Sequence, residues 1–324
     1  MKAVVCKAFG PPETLVVEEV PSPRASAGQA VVEVKAIGVN FPDTLIIEGK
    51  YQFRPEPPFT PGGEVAGVVA EVGEGVKNVK VGDHVVALMP WGGYAERIVA
   101  DASRLIPIPD GVTFVQAAAV PTTYGTTYYA LADRAAMKPG ETLLVLGAAG
   151  GVGIAAVQLG KLMGARVIAA ASSPEKLETC KREGADLGID YSKEDGKERG
   201  KALTNGTGAD VVYDPVGGKY SEAALRATAF NGRLLVIGFA AGEIPKIPLN
   251  LTLLKGASIV GVFWGQFTMR EPARAAAQFR QLYEWVRDGK LKPHVHATPP
   301  LAEAAAAMRT LLDRKVQGKI VLVT

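Results

Sequence analysis

Cysteine is nearly missing from this sequence: only Cys6 and Cys180 occur in 324 residues, far apart. Two such cysteines build no disulfide framework and suit a reducing compartment. Histidine is sparse as well, limited to His84, His294 and His296. Neither sign of charge dominates; the formal net charge is +3, with acids and bases interspersed. No Lys/Arg-dense run with interleaved aromatics occurs, so nothing asks for nucleic acid. Long apolar runs are lacking too. The uncharged stretch Leu143 to Gly160 is broken by five glycines and reads better as strand, turn and helix than as a membrane span. The start, MKAVVCKAFGPPET, meets charge, Gly and Pro before any apolar core, unlike a signal peptide. A cytoplasmic protein with no membrane partner is expected.

What is present is the material of an ordinary globular protein, 48% hydrophobic and 21% charged, in a length for about two domains. The first third is Val-rich and punctuated by Gly, Pro and Asp. AVVEVKAIGVN (30–40), EVAGVVAEVG (64–73) and DHVVALM (83–89) are predicted strands. Past Leu131, strands and helices alternate. TLLVLG (142–147), RVIAAAS (166–172), LGIDY (187–191), DVVYD (210–214), RLLVIGF (233–239) and SIVGVFW (258–264) are predicted strands, most joined by helical segments. Six strands with such crossovers imply a parallel sheet covered on both faces. A helix stopped near Gly289, a second carrying Leu301, Ala305, Met308, Leu311 and Leu312 on one face, and the closing strand KIVLVT (319–324) follow. The expected organisation is a β-rich domain over 1–122 and 267–324, interrupted by an α/β domain over 123–266.

LLVLG runs into Gly147-Ala148-Ala149-Gly150-Gly151-Val152-Gly153 and then a helix. Phosphate binding needs that order. A tight turn at a strand end brings backbone close to a pyrophosphate, and free N–H groups at the helix start face it. Gly150, Gly151, Val152 and Gly153 are the candidate binding residues; Ala148 stands where the first Gly of G-x-G-x-x-G would be. At the end of the next strand an NAD-binding chain usually places Asp or Glu on the ribose 2′-OH. Here Ala171-Ser172-Ser173 stand there, with no acid before Glu175. Ser172 and Tyr191 can hydrogen-bond a 2′-phosphate and Lys176 adds charge, so NADPH is the expected cofactor. The plainer reading makes Lys176 a solvated helix charge and Tyr191 an edge residue.

Gly140-Glu141, Leu144, Ala148-Ala149-Gly150-Gly151, Gly153, Gln158 and Lys161 resemble the signature of the quinone oxidoreductase (zeta-crystallin) family, within the medium-chain dehydrogenase/reductase superfamily. GVNFPD (38–43), GKY (49–51), PGGEVAG (61–67), VGDHVVAL (81–88), GGYAE (92–96) and GKIVLV (318–323) extend the resemblance over essentially the whole chain. It implies a GroES-like β-rich catalytic domain plus a Rossmann doubly wound parallel-sheet domain, with the active site in the cleft between them. Zinc-dependent members of the superfamily carry Cys near the first of these landmarks and Gly-His-Glu at a later one. Here those places are Asn40 and Gly62-Gly63-Glu64, and two cysteines cannot make a four-cysteine lobe. His294 and His296 share one strand face, yet no third ligand is apparent nearby. No metal is expected.

The resemblance also assigns roles. Asn40 hydrogen-bonds near the nicotinamide ribose or the acceptor, against a plainer role as a turn residue ending a strand. Tyr51, in GKY, is placed as a polar or proton-donating hydroxyl, against pocket lining alone. Thr126, in YGTTYYAL, reaches the nicotinamide carboxamide, against helix capping. Gly238, Phe239, Phe263 and Trp264 lie where strand ends meet the cofactor, though large residues are also ordinary core. Without zinc, a quinone or conjugated carbonyl is the expected small-molecule partner, because it spreads incoming charge over a delocalised system. A 2-enoyl-thioester or alkenal reductase shares GKY and the same hydride geometry. A low-turnover NADPH- or RNA-binding protein is a third reading, with no basic stripe to support it. Relatives often form homodimers, and the apolar SIVGVFWG (258–265) reads either as a sheet-edge dimer contact or as a core strand.

Overall fold

Two short strands, β1 (Lys2–Val5) and β2 (Val16–Glu19), pair antiparallel at the start of the chain. The computed structural model describes residues 1–194 and 196–324. They form two compact units, Met1–Thr122 with Phe279–Thr324, and Thr123–Gln278. The main sheet of the first unit begins with β3 (Gln29–Val39), which leads into α1 (Phe41–Ile47). It continues with β4 (Glu64–Val72), β5 (His84–Leu88), β6 (Arg97–Asp101) and β7 (Ile106–Pro107), followed by α2 (Phe114–Ala119). Val32, Val34, Ile37, Val65, Val69 and Val85 in these strands are at most 1% exposed. Burying each contributes about 1.5–3 kcal/mol. β3 is long enough to serve two neighbours along one edge. Gln29–Glu33 pair with β6, which leaves the later half of that edge to another strand.

An unusual helical run begins with the last two residues of the Met1–Thr122 segment and continues into the second unit. Pro121–Gly125 wind as a π-helix, α3 (Thr126–Tyr128) is a short α-helical piece, and Tyr129–Arg134 are π-helical again. Strands and helices then alternate: β8 (Thr142–Leu146), α4 (Gly151–Leu162), β9 (Arg166–Ala171), α5 (Pro174–Arg182), β10 (Leu187–Asp190), α6 (Gly196–Leu203), β11 (Ala209–Asp214), α7 (Lys219–Arg226), β12 (Thr228–Val236), α8 (Asn250–Lys255) and β13 (Ser258–Gly261). All strand pairings are parallel, in the order β10-β9-β8-β11-β12-β13. Leu143, Val145, Val167, Ile168, Val211 and Val212 are fully buried. Near-continuous apolar strands of this kind belong to a sheet covered on both faces. The chain leaves β8 toward β9 and β10, then returns beside β8 as β11 and proceeds the other way. In open α/β sheets ligands bind outside the strand ends at such a reversal. The second unit is a Rossmann fold.

Two strand predictions ran too long. β12 stops at Val236, so Phe239 lies beyond it, and β13 stops at Gly261. Phe263 instead precedes α9 (Trp264–Arg270), and the Trp264 indole covers Gly125, where an added Cβ would come within 2.8 Å of it. Packing of one indole on a glycine outweighs the strand propensity of VFW. α10 (Pro272–Arg287) carries the division between the units, between Gln278 and Phe279. The return adds β14 (Val295–Ala297), α11 (Ala304–Leu312) and β15 (Lys319–Val323) to the first unit. β15 takes the free half of the β3 edge, antiparallel, with Ile320 opposite Val39. That register sets Lys319 beside the end of β3, where Asn40 sits.

Candidate active site

In the second unit the turn between β8 and α4 is built on glycine geometry. Gly147 has φ of +57°, and the Gly150 amide closes the turn onto its carbonyl at 3.0 Å. Gly153 is obligatory for packing, because a Cβ there would meet the Gly147 carbonyl and lie 2.7 Å from the Ala148 backbone carbon. Gly150 is different: its added Cβ would touch only the Gly147 oxygen, at 3.4 Å. The space over Gly150 is therefore open on the ligand side. The amides of Gly151, Val152 and Gly153 stand in the first turn of α4 and have no intrahelical acceptor. This cradle fits a pyrophosphate.

At the end of β9, Ser172 Oγ accepts from Lys176 Nζ at 3.2 Å. Ser173 caps α5, its hydroxyl accepting from the Lys176 amide at 3.3 Å. The cap thus places Lys176 one turn in, with its side chain folded back on Ser172. Tyr191 follows β10; its amide donates to the Ala171 carbonyl at 3.1 Å, and its ring lies 5.1 Å from that of Tyr220. No carboxylate occupies Ala171–Ser173. Thr126 begins α3, Gly238 lies just past β12, where a Cβ would sit 3.5 Å from the Pro215 carbonyl oxygen, Phe239 packs over Gly217, and Phe263 is 47% exposed. Ser172, Lys176 and Tyr191 therefore gather at neighbouring strand ends, whereas Trp264 is engaged with Gly125.

The first unit holds a buried polar network that sequence patterns did not reveal. Asn40, 7% exposed, donates from Nδ2 to Glu64 Oε1 at 2.8 Å and accepts at Oδ1 from Lys319 Nζ at 2.5 Å. Lys319 also pairs with Glu64. The second Glu64 oxygen accepts from the Thr122 amide at 2.8 Å and the Thr122 hydroxyl at 2.6 Å. Gly38 makes the room: a Cβ there would lie 2.7 Å from the Glu64 carboxyl carbon. Both ends of the Asn40 amide are thus occupied within this unit. The Asn40 backbone amide donates to Asp43 Oδ2 at 2.9 Å, and Tyr94 Oη donates to the same oxygen at 3.1 Å. Burial pushes the Asp43 carboxyl up to about 7, against the pull of the Asn40 amide. Burial raises the Tyr51 phenol, helped by the nearby Asp43 charge, and Tyr51 sits 6.0 Å from the Phe53 ring. A usable sequence signal existed: Lys319 opens an otherwise apolar strand, and Glu64 precedes the apolar run VAGVVA.

Among the described residues no three His, Cys, Asp or Glu side chains gather in a way that could hold a metal ion. The histidines are spent elsewhere, with His84 4.7 Å from the Phe114 ring and His296 in β14. Among the described residues no helix is long and apolar enough to cross a membrane.

A GroES-like unit and a Rossmann unit with a glycine turn define a medium-chain dehydrogenase/reductase. Residues 26–110 match the family described as Alcohol dehydrogenase GroES-like domain, and residues 151–285 the one described as Zinc-binding dehydrogenase. A quinone oxidoreductase-like protein 2 homolog of Nematostella vectensis is 40% identical over 100% of this chain and 89% of its own length. The Escherichia coli quinone oxidoreductase solved with NADPH is 31% identical, covers 100% of both chains and superposes with a TM-score of 0.93. A 2-haloacrylate reductase is 32% identical over 100% of this chain and 99% of its own, with a TM-score of 0.87. The chain belongs to the quinone oxidoreductase family of medium-chain dehydrogenase/reductase oxidoreductases.

Proposed function

We propose that the chain is an NADPH-dependent reductase that passes hydride to quinones without help from a metal. The observation that carries this is the end of β9, where Lys176 lies 3.2 Å from Ser172 and no carboxylate is present to repel a 2′-phosphate. The relative solved with NADPH supports the same cofactor. NADPH supplies the hydride; the protein binds and orients it. The amides of Gly151, Val152 and Gly153, beside the open Gly150, take the pyrophosphate. Ser172, Lys176 and Tyr191 take the 2′-phosphate. Thr126, Gly238, Phe239, Phe263 and Trp264 serve the nicotinamide half.

Tyr51 and Asn40 are the acceptor-side residues of the first unit. The raised Tyr51 phenol stays protonated at working pH and can donate to a developing oxyanion. Asn40 holds its place through Glu64 and Lys319 rather than as a free amide. A quinone needs no Lewis acid, since its reduced charge is delocalised and a few hydrogen bonds suffice. Likeness to a 2-haloacrylate reductase favours a second reading, reduction of a C=C bond conjugated to a carbonyl. Two buried cysteines fit a cytoplasmic home. The exposed Leu249, Leu253 and Leu254 at α8, beside the edge strand β13, fit a homodimer.

The test is NADPH and NADH oxidation against a benzoquinone, a phenanthrenequinone, an alkenal and a crotonyl thioester, with metal analysis of the same sample. Faster quinone turnover with NADPH, in metal-free protein, is expected. Faster thioester or alkenal turnover replaces quinones by the second reading, and preference for NADH or stoichiometric metal overturns the cofactor or metal assignment. A Tyr51→Phe chain with unchanged rates removes Tyr51 as proton donor.

A further inference from the structure

We propose that Tyr213 and Thr127 are positioning residues: their hydroxyl pair locks the helical run carrying Thr126 onto β11, and so fixes which face of the nicotinamide is presented. The inference rests on the coenzyme reading above and deepens it.

Tyr213 lies one residue from the end of β11, opposite Val145 of β8, at the divide where the strand connections part. It is fully buried, and so is Thr127. Tyr213 Oη and Thr127 Oγ1 are 2.8 Å apart, and Thr127 donates its single hydroxyl proton to the Thr123 carbonyl at 2.7 Å. Tyr213 must therefore be the donor to Thr127. Burial raises the Tyr213 phenol, so it keeps its proton throughout the working range. The Val152 carbonyl, in the first turn of α4, lies 3.4 Å from the same Thr127 oxygen. With both protons spent, the pair ties the run 121–134 to a sheet strand and only packs against the phosphate-binding helix.

That run is held by several directional ties, and this pair adds one at α3. The run is π-helical on both sides of α3, a geometry that recurs at functional sites. Tyr124 Oη donates to Gln158 at 2.9 Å, Asp133 accepts from Gln278 at 2.7 Å and pairs with Arg274, and the Arg134 guanidinium donates to the Gly261 carbonyl at 3.0 Å. Trp264 covers Gly125, and Tyr129 stacks on Phe267 with ring centroids 4.2 Å apart. Beside Thr126 itself, the Tyr213 hydroxyl gives Thr127 a contact that specifies direction, which the ring contacts do not. Thr126 neighbours Thr127, so rotation of one swings the other. The 2′-phosphate residues Ser172 and Lys176 sit at the end of a different strand, β9, so the two ends of the coenzyme are held by separate devices.

Tyr213→Phe and Thr127→Val remove a hydroxyl each and keep the shape; Thr127→Ser keeps the hydroxyl. Calorimetry with 2′,5′-ADP and with NADPH separates the adenosine end from the whole coenzyme. Transfer from (4R)- and (4S)-deuterated NADPH to the acceptor turned over fastest reads which nicotinamide face reacts. In Tyr213→Phe and Thr127→Val, 2′,5′-ADP affinity is expected to stay unchanged. NADPH affinity should fall about threefold and kcat about tenfold, the scale of one lost buried hydrogen bond. Deuterium should also begin to transfer from both faces, and Thr127→Ser should match the unmodified chain. If both substitutions lower thermal stability alone, with NADPH affinity, kcat and transfer face unchanged, the inference is overturned. An unmodified chain that binds neither nucleotide overturns the coenzyme reading, and this inference with it.

Discussion

Lys319 and Glu64 meet in the interior of the first unit, 255 residues apart in sequence, with side chains 5% and 0% exposed. Each is also held by others: Asn40 bridges the two, and Thr122 takes the second Glu64 oxygen. Removing one charge strands the other. Lys319→Met is expected to lower the unfolding free energy by about 3–5 kcal/mol, and adding Glu64→Gln to restore part of the loss. Chemical denaturation of the single and double variants measures both.

Asp43 gives a pH dependence of definite sign. Burial lifts its carboxyl to about 7, whereas in the unfolded chain it titrates at about 3.9. Between those values the folded state binds more protons, so this group's stabilisation is full below about pH 4 and is lost as pH rises through about 7. Relative to Asp43→Asn, the unmodified chain should lose on the order of 4 kcal/mol across that window. Unfolding curves at pH 4, 5.5 and 7 compare the two. A parallel pH dependence in both proteins would show that Asp43 does not titrate there.

Lys176→Ala removes the charge that folds back on Ser172. Its kcat/KM for NADPH should drop about 10- to 100-fold, the worth of a charge-assisted hydrogen bond, while that for NADH stays level. Equal losses with both coenzymes would place Lys176 outside the 2′-phosphate site.

The two glycines of the turn should respond in opposite ways. Gly153→Ala forces a methyl into the Gly147 and Ala148 backbone, so the thermal midpoint should fall. Gly150→Ala has room within the protein, so folding should be intact while NADPH affinity falls at least tenfold. Thermal melts and NADPH titrations of the pair distinguish packing from ligand contact.

Leu253 and Leu254 are 83% and 71% exposed on α8, near the unpaired edge of β13. By analytical ultracentrifugation the unmodified chain is expected to sediment as a dimer and the chain with both converted to Glu as a monomer. A monomeric unmodified chain removes the dimer from the proposal.

The features legible in the sequence are those encoded locally. A strand, glycines at fixed spacing and a helix are contiguous, so the turn at 147–153 could be read directly, and the missing acid after RVIAAA pointed to Ser172 and Lys176. The Glu64–Lys319–Asn40 network was not legible, because it depends on β15 taking the free half of the β3 edge. Nothing in 319–324 specifies which strand it will join. Tyr213 and Thr127 stayed hidden for a similar reason, since their meeting depends on a π-helical run that no residue pattern announced. Phe263 and Trp264 were misplaced on a strand because VFW favours extended structure until the indole finds Gly125.

The interruption of the first unit by the second bears on how the polypeptide matures on the ribosome. Residues 123–278 emerge as one uninterrupted stretch and can complete their sheet while β3 still lacks β15. Throughout that interval Glu64 has no cationic partner, since Lys319 is translated more than two hundred codons later. The nascent chain thus carries a finished parallel sheet and an unfinished antiparallel one, whose interior charge is neutralised only when the final strand slides home.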